Sequence, residues 1–320
     1  MKFLNGSDRI LLEVELQPVQ GSRFQPTGFP SLGAAEFTSM SENDQNSLLV
    51  ESSQSMANRL EVVCWDPIES ELANSIKGMP VITVHDENGN FLTNSILEAH
   101  RMNSPYILEG KDKTLIDKLK KELKIDDTEQ AINIQKFAEF VFKYDTNSIL
   151  HGLFLAKSDI AGGRYKLTRS LSSFIEAKNI KPATSGGVKL DHLDPKGGEQ
   201  GSAKGFGHIP YSRTEYTAES ITAYFSIDLA LIHSYNLGED ANDMLLTLAL
   251  WKIQSFLKSG LRLRTACHLK VKGELTVTEP KKIHVPDISI LDQELKKCIS
   301  KCANKFVKTP LIVKYPTKKK

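Results

Sequence analysis

Several whole classes of protein are excluded by what this chain lacks. Its four cysteines, Cys64, Cys267, Cys298 and Cys302, are too few and too irregularly spaced for a disulfide framework or a four-thiolate metal site. Reduced thiols are therefore expected. No apolar run approaches the ~20 residues of a membrane-spanning helix. The opening stretch MKFLNGSDRILLEVEL is interrupted by Arg9, Glu13 and Glu15 before it reads as a signal peptide. A cytoplasmic chain with no membrane partner is the expectation. Nucleotide-binding loops are missing too: GSAKGFG has neither the glycine spacing nor the Lys-Ser/Thr pair of a phosphate loop, and GFG lacks the third glycine of a dinucleotide fingerprint. No nucleophile and base stand paired, so no cofactor is expected and a non-catalytic role is preferred.

A surplus of one charge sign is also missing, since 41 basic side chains balance 39 acidic ones to a net +2. The balance is uneven along the chain. From Lys296 to Lys320 there are nine lysines and no acid, so the preceding part is mildly acidic. A polyanion would have to be held by locally organised cations, because screening removes the field of distant exposed ones.

The patterning that is present is mostly that of strands and helices in alternation. RILLEVELQPV places Ile10, Leu12, Val14 and Leu16 on one parity, a half-buried strand stopped near Pro18. A helix capped near Ser52 or Ser53 follows, with Met56, Leu60 and Val63 on its apolar stripe. VITVHDENGNFLT predicts a hairpin turning at Asn88-Gly89. Residues 111–145 change to two amphipathic helices, the second burying Ile132, Phe137, Phe140, Val141 and Tyr144. SILHGLFLA reads as a strand, and Gly162-Gly163 leads toward a predicted helix carrying Leu171, Phe174 and Ile175. The span from Pro182 to Arg213, with seven glycines, predicts a long flexible loop of the kind that is functional when it occurs inside a domain. Ser220 to Lys272 then reads strand, helix, strand, a crossover that puts both strands in one sheet. With the first unit this predicts two βαβ-like halves, an α/β (α+β) fold of the RRM-like or ferredoxin-like plan. The expected division is a palm over 1–285, carrying a helical insertion at 111–145 and a glycine-rich thumb-like loop at 182–213, followed by a C-terminal helix and basic tail over 286–320.

Candidate binding residues follow from cations at regular spacing. In GLRLRTACHLKVK, Leu261, Leu263, Cys267 and Leu269 share one parity while Arg262, Arg264, His268, Lys270 and Lys272 share the other. Same-side strand residues are ~6.6 Å apart, close to the phosphate repeat of an extended nucleic acid strand. A solvated outer sheet face would show the same alternation. Arg164, Lys166 and Arg169 beside Gly162-Gly163 suggest a phosphate site assisted by backbone N–H groups at a helix start. Lys189, Lys204 and Arg213, mixed with Phe206 and Tyr211, suit a single strand whose bases stack on aromatics. Ser53, Gln54, Asn58 and Arg59 present polar groups for sugar and phosphate. Asp191, His192 and Asp194 could hold a metal, and Cys298 and Cys302 read as core thiols.

The blocks SSQSMANRLE, NSILEAHRMNSPYI, HGLFL, GGRYKLTRSLSSFIEA, GFGHIPYSRTEYTAESITAYFSIDL and SGLRLRTACHL, in that order between Ile10 and Leu269, resemble the backbone subunit of the type I-G (formerly I-U) CRISPR Cascade complex, a RAMP protein. The resemblance implies an RRM-like palm with a thumb-like hairpin or loop and a helical insertion. It implies a filament of copies along CRISPR RNA, neighbouring Cascade subunits, and target DNA engaged through the guide, in which pairing and not protein reads sequence. Arg101, in the second block, joins the RNA-binding candidates on this ground. Related type III subunits cut RNA with a loop aspartate, so a metal-dependent RAMP ribonuclease using Asp191 or Asp194 is the competing expectation.

Overall fold

The computed structural model describes residues 7–316 apart from 30, 39, 41–45, 126–130, 158–159, 198–200, 202–203 and 282. In chain order its main elements begin with β1 (Arg9–Pro18), β2 (Glu36–Thr38), β3 (Asn46–Glu51) and α1 (Ser53–Val62). The hairpin strands β4 (Ile82–His85) and β5 (Phe91–Asn94) follow, then α2 (Thr114–Leu123), α3 (Ile134–Tyr144) and the short α4 (Asn147–His151). Next come β6 (Leu153–Leu155), β7 (Tyr165–Leu167), β8 (Leu171–Lys178), β9 (Lys181–Lys189), β10 (Ile209–Thr217) and β11 (Ser220–Asp228). The chain closes with α5 (Leu229–Ser234), α6 (Glu239–Lys258), β12 (Arg262–Arg264), β13 (Cys267–Glu279), α7 (Ile288–Cys302) and β14 (Leu311–Lys314).

The main sheet runs in the order β12-β13-β1-β11-β8-β3-β2. Its centre, β13-β1-β11-β8, is antiparallel throughout. Numbered by their place in a βαββαβ unit, with α1 and α6 as the two helices, these strands stand 4-1-3-2, the ferredoxin-like plan. The inner face is laid down row by row. Ile10, Ile227 and Leu171 share one row, Leu12, Phe225 and Ser173 the next, and Val14, Ala223 and Ile175 the third. All are buried, and Phe225 meets Phe256 of α6 edge to face. Each such apolar side chain contributes roughly 1.5–3 kcal/mol on leaving water, which fixes the strand register, because a slip of one residue would turn the set outward. α7 packs against α6, and β14 pairs parallel with β4, so the C-terminal segment shares the one core.

Local chemistry explains the element ends. Ser52 caps α1 by accepting the Ser55 N–H at 3.3 Å. Asp86 shapes the Asn88-Gly89 turn by accepting the Asn88 and Asn90 N–H groups, each at 2.8 Å. α6 opens with Glu239 and Asp240 and closes at Lys258, signs that suit the helix dipole.

Four expectations need correction. Leu171–Lys178 is a strand and not a helix, because its burial alternates with period two. SILHGLFLA divides into α4 and β6 at Gly152. The two ends of the Pro182–Arg213 span are an ordered ribbon, with the loop confined to the connection between them: β9 and β10 pair through nine rungs from Lys181↔Thr217 to Lys189↔Ile209. The Gly260–Lys272 stretch is a tight hairpin and not one strand, with Thr265 and Ala266 as the turn and Arg262 facing His268. Its basic residues therefore fold back on one another instead of running in a single line.

Candidate nucleic-acid interface

The junction between β3 and α1 gathers the arginines. Glu51, at the end of β3, is 1% exposed and accepts Arg59 Nε at 2.8 Å and the guanidinium of Arg264. Arg59 also donates to the Leu263 carbonyl, and Arg264 Nη1 to the Gln25 carbonyl at 3.0 Å. In the last turn of α1, buried Glu61 takes Arg101 through two hydrogen bonds of 2.6 and 2.8 Å. Arg169 Nη1 reaches the Ser53 carbonyl at 2.9 Å. Four guanidiniums, always protonated, thus face two carboxylates, and the junction carries net positive charge.

Beside this junction lies a groove of about 560 Å³ lined by Gln54, His100, Arg101, Asn103, His151, Gly152, Phe154, Lys166, Thr168 and Arg169. It brings together four of the sequence candidates, Gln54, Arg101, Lys166 and Arg169. His100 and Asn103 were not anticipated, as nothing in their immediate sequence marks them. Two backbone features build the groove. Arg101 adopts φ 52°, a left-handed conformation that costs a non-glycine residue about 1 kcal/mol or more and persists only where surrounding contacts enforce it. Gly152 has φ 81°, and a Cβ there would sit 3.1 Å from both the Arg169 nitrogen and the Leu167 oxygen. Glycine lets the chain turn close beneath Arg169.

A second, larger groove of about 1180 Å³ is lined by Gln25, Phe29, Leu32, Glu36, Tyr211, Arg213, Tyr216 and Arg264 among others. Arg213 donates to Gln25 Oε1 at 2.8 Å. Tyr216 donates to Glu36, and burial together with that carboxylate pushes its hydroxyl up to about 12. Phe29 and Tyr211 stand exposed at its rim, where flat rings can stack on bases.

The remaining candidates are dispersed. Asn58 is exposed on α1, and Arg262 and Lys270 are exposed on the β12–β13 hairpin. Lys189 and Lys204 belong to the far end of the ribbon, and Arg164 precedes β7. Ser53 serves through its carbonyl. Arg59, Arg101 and Arg264 are held inward by carboxylates and are not the freely exposed cations expected. Gly162-Gly163 precedes strand β7 and not a helix, so the helix-start phosphate site expected there has no helix to form it. Asp191 is a turn builder: its carboxylate accepts the N–H groups of Leu193, Asp194 and Gly207 at 2.9–3.0 Å, which holds it below the usual carboxylate range. Asp194 accepts Gly197 N–H at 3.0 Å. Among the described residues, no group of three or more His, Cys, Asp or Glu side chains is placed to hold a metal. Nor is any described helix long and apolar enough to cross a membrane.

The model of the family described as CRISPR-associated protein GSU0053 matches residues 10–182, more than half of the chain, including β3, α1, Arg101 and Arg169. The chain belongs to this family. It is a RAMP-type CRISPR family. Among solved structures the chain is similar to one described as a CRISPR RNA-guided surveillance complex, pre-nicking, at 12% identity and a TM-score of 0.42, covering 82% of this chain and 74% of that one. It is also similar to the crystal structure of Thermofilum pendens Csc2, at 10% identity and a TM-score of 0.34, covering 93% of this chain and 79% of that one. No curated protein matches.

Proposed function

We propose that this chain is a non-catalytic backbone subunit of a type I-G Cascade surveillance complex, one of several copies aligned along CRISPR RNA in the cytoplasm for antiviral targeting of DNA. The observation that carries the reading is the convergence of Gln54, Arg101, Lys166 and Arg169 in one groove beside the β3–α1 junction, in a chain of a CRISPR family. These groups suit sugar and phosphate, which position a strand without reading its sequence. Bases left free can then pair with target DNA. Asp191 and Asp194, spent on backbone turns, support binding over cleavage.

The test is binding of the purified chain to labelled single-stranded RNA, with magnesium present and the RNA recovered on a denaturing gel. Expected are intact RNA, little sequence preference, and affinity that falls steeply with salt as counterions are released. Cuts at regular intervals would replace this reading with the ribonuclease one. Salt-insensitive binding of a single short motif would remove the backbone-contact role.

A further inference from the structure

Lys252 of α6 is 0% exposed, and a lysine is almost never fully buried without a specific partner. Its amine donates to Asn147 Oδ1 and lies 2.9 Å from His151 Nε2, with the Cys64 thiol also beside it. The contacts do not stop there. Asn147 Nδ2 donates to Glu61 Oε1 at 2.7 Å, the same oxygen that accepts Arg101 Nε at 2.6 Å. The His151 carbonyl accepts Arg169 Nε at 3.5 Å, and the next carbonyl, that of Gly152, accepts Arg101 Nη1 at 3.4 Å. Two short chains of polar groups therefore run from one buried amine to the two guanidiniums of the groove.

We propose that Lys252 is a positioning residue for the RNA groove, holding Arg101 through Asn147 and Glu61 and Arg169 through His151, so that both guanidiniums are set before a phosphate arrives. This rests on the RNA-binding reading above but goes beyond it, since it assigns a binding role to a residue that no RNA can touch. The physical need is clear. Arginine loses rotamer freedom on binding, and a site that has fixed its side chains beforehand avoids that loss. Asn147 must present its oxygen to the amine and its nitrogen to Glu61, and Lys252 enforces that orientation. The amine also settles His151. Burial, reinforced by the charges of Lys252 and Arg101, holds the imidazole well below its ordinary range. A neutral ring can accept the amine at Nε2, with its proton on Nδ1.

The relay is tested with the full-length chain and two variants that interrupt it at different points, Lys252→Met, which keeps the unbranched apolar stem and removes the amine, and Asn147→Ser, which shortens the next link. Leu248→Ala, a cavity in the same helix outside the relay, is the control for a merely structural effect. The first readout needs no RNA. The Nε–H resonances of Arg101 and Arg169, identified by their loss in single lysine substitutions, should shift or broaden in both relay variants and stay in place in the control. The second is affinity for single-stranded RNA well below the melting temperature. It should fall by roughly tenfold in the relay variants with an unchanged slope of log affinity against log salt, since no phosphate contact is lost. Unchanged arginine resonances in whichever relay variant folds, or the same changes in Leu248→Ala, overturn the relay. If the wild-type chain binds no RNA at all, the reading under Proposed function fails, and Lys252 then has no groove to position, whatever the resonances show.

Discussion

The Arg169 guanidinium donates to the Ser53 carbonyl over 2.9 Å, fastening the segment before β8 to the first turn of α1. The two residues are far apart in the chain, yet the bond defines one wall of the groove. Arg169 thus both shapes the site and charges it, whereas neighbouring Lys166 stands exposed on β7 and contributes charge alone.

That difference separates two substitutions. Lys166→Gln should leave the melting temperature unchanged, weaken RNA binding, and make the salt slope shallower by about one, the signature of one lost phosphate contact. Arg169→Gln should weaken RNA binding and also cost about 1–3 kcal/mol of stability, as loss of a partly buried charged hydrogen bond does. Thermal melts alongside anisotropy titrations check both. Equal loss of stability in the two variants would place Lys166 in the framework instead.

The β12–β13 hairpin divides its basic residues in the same way. Arg264 is bound to Glu51, whose side chain is 1% exposed, while Arg262 is exposed opposite His268. Arg264→Gln leaves the buried Glu51 carboxylate with Arg59 as its remaining cation and should cost about 1–3 kcal/mol, the scale for losing one charged hydrogen bond. Arg262→Gln should stay within about 0.5 kcal/mol of the parent, as surface changes do. Urea unfolding distinguishes them.

How much of this was legible in the sequence depended on the range of the interaction. β1, the Asn88-Gly89 hairpin, the α1 cap at Ser52 and the full length of α6 are set by neighbours a few residues away, and their patterns show. Leu171–Lys178 misled because Leu171, Phe174 and Ile175 also fit a helical stripe. Only the pairing with β11, which buries Ser173 and lifts Phe174 to stack on Tyr224 at 5.1 Å, decides for a strand. The ribbon hid behind its glycines for a similar reason. Its order comes from cross-strand rungs and from Phe24 pairing with Tyr216 at its base. The arginine ties were invisible altogether, since Glu51 and Arg264 lie 213 residues apart. The candidates that gathered at the groove were legible as residue types and not as ion-pair partners.

Two buried groups under the groove make stability depend on pH in opposite senses. Asp145 is pushed up to about 6 by burial, against the hydrogen bond from Ser148. Between its unfolded value near 4 and about 6, the folded chain binds the extra proton, so this group's contribution is greatest at low pH and is lost as pH rises through that window, by about 3 kcal/mol in all. His151 is held low, so the unfolded chain binds its proton first. Its contribution is present above about 6.5 and is lost as pH falls below that value. Between pH 4 and 6 the two slopes oppose one another in the parent chain, so Asp145→Asn, which removes the falling one, should leave stability rising more steeply with pH up to about 6.5. Melting temperatures of both proteins from pH 4 to 8 measure the slopes. An unaltered slope between pH 4 and 6 would mean that Asp145 titrates alike in the folded and unfolded chains.

Glu61 and Arg101 allow stability and binding to be pulled apart. Their side chains are 3% and 12% exposed, and two hydrogen bonds join them, so Glu61→Gln leaves a buried guanidinium without its counter-charge. The expected cost is about 3–5 kcal/mol, with RNA affinity reduced as well, because Arg101 is no longer held toward the groove. Adding Arg101→Met removes the stranded charge and substitutes a side chain of similar volume that packs in apolar surroundings. Buried pairs replaced as a pair by uncharged groups are often close to neutral, so the double variant should recover most of the lost stability in urea unfolding. Its RNA affinity should stay low, since the groove has lost a cation, and its salt slope should remain about one unit shallower than that of the parent. Recovery of RNA binding together with stability would show that Arg101 serves the fold alone and that the phosphate track passes elsewhere. Recovery of stability without binding assigns the ion pair to both tasks: Glu61 offsets the burial of the guanidinium, and Arg101 delivers it to the strand.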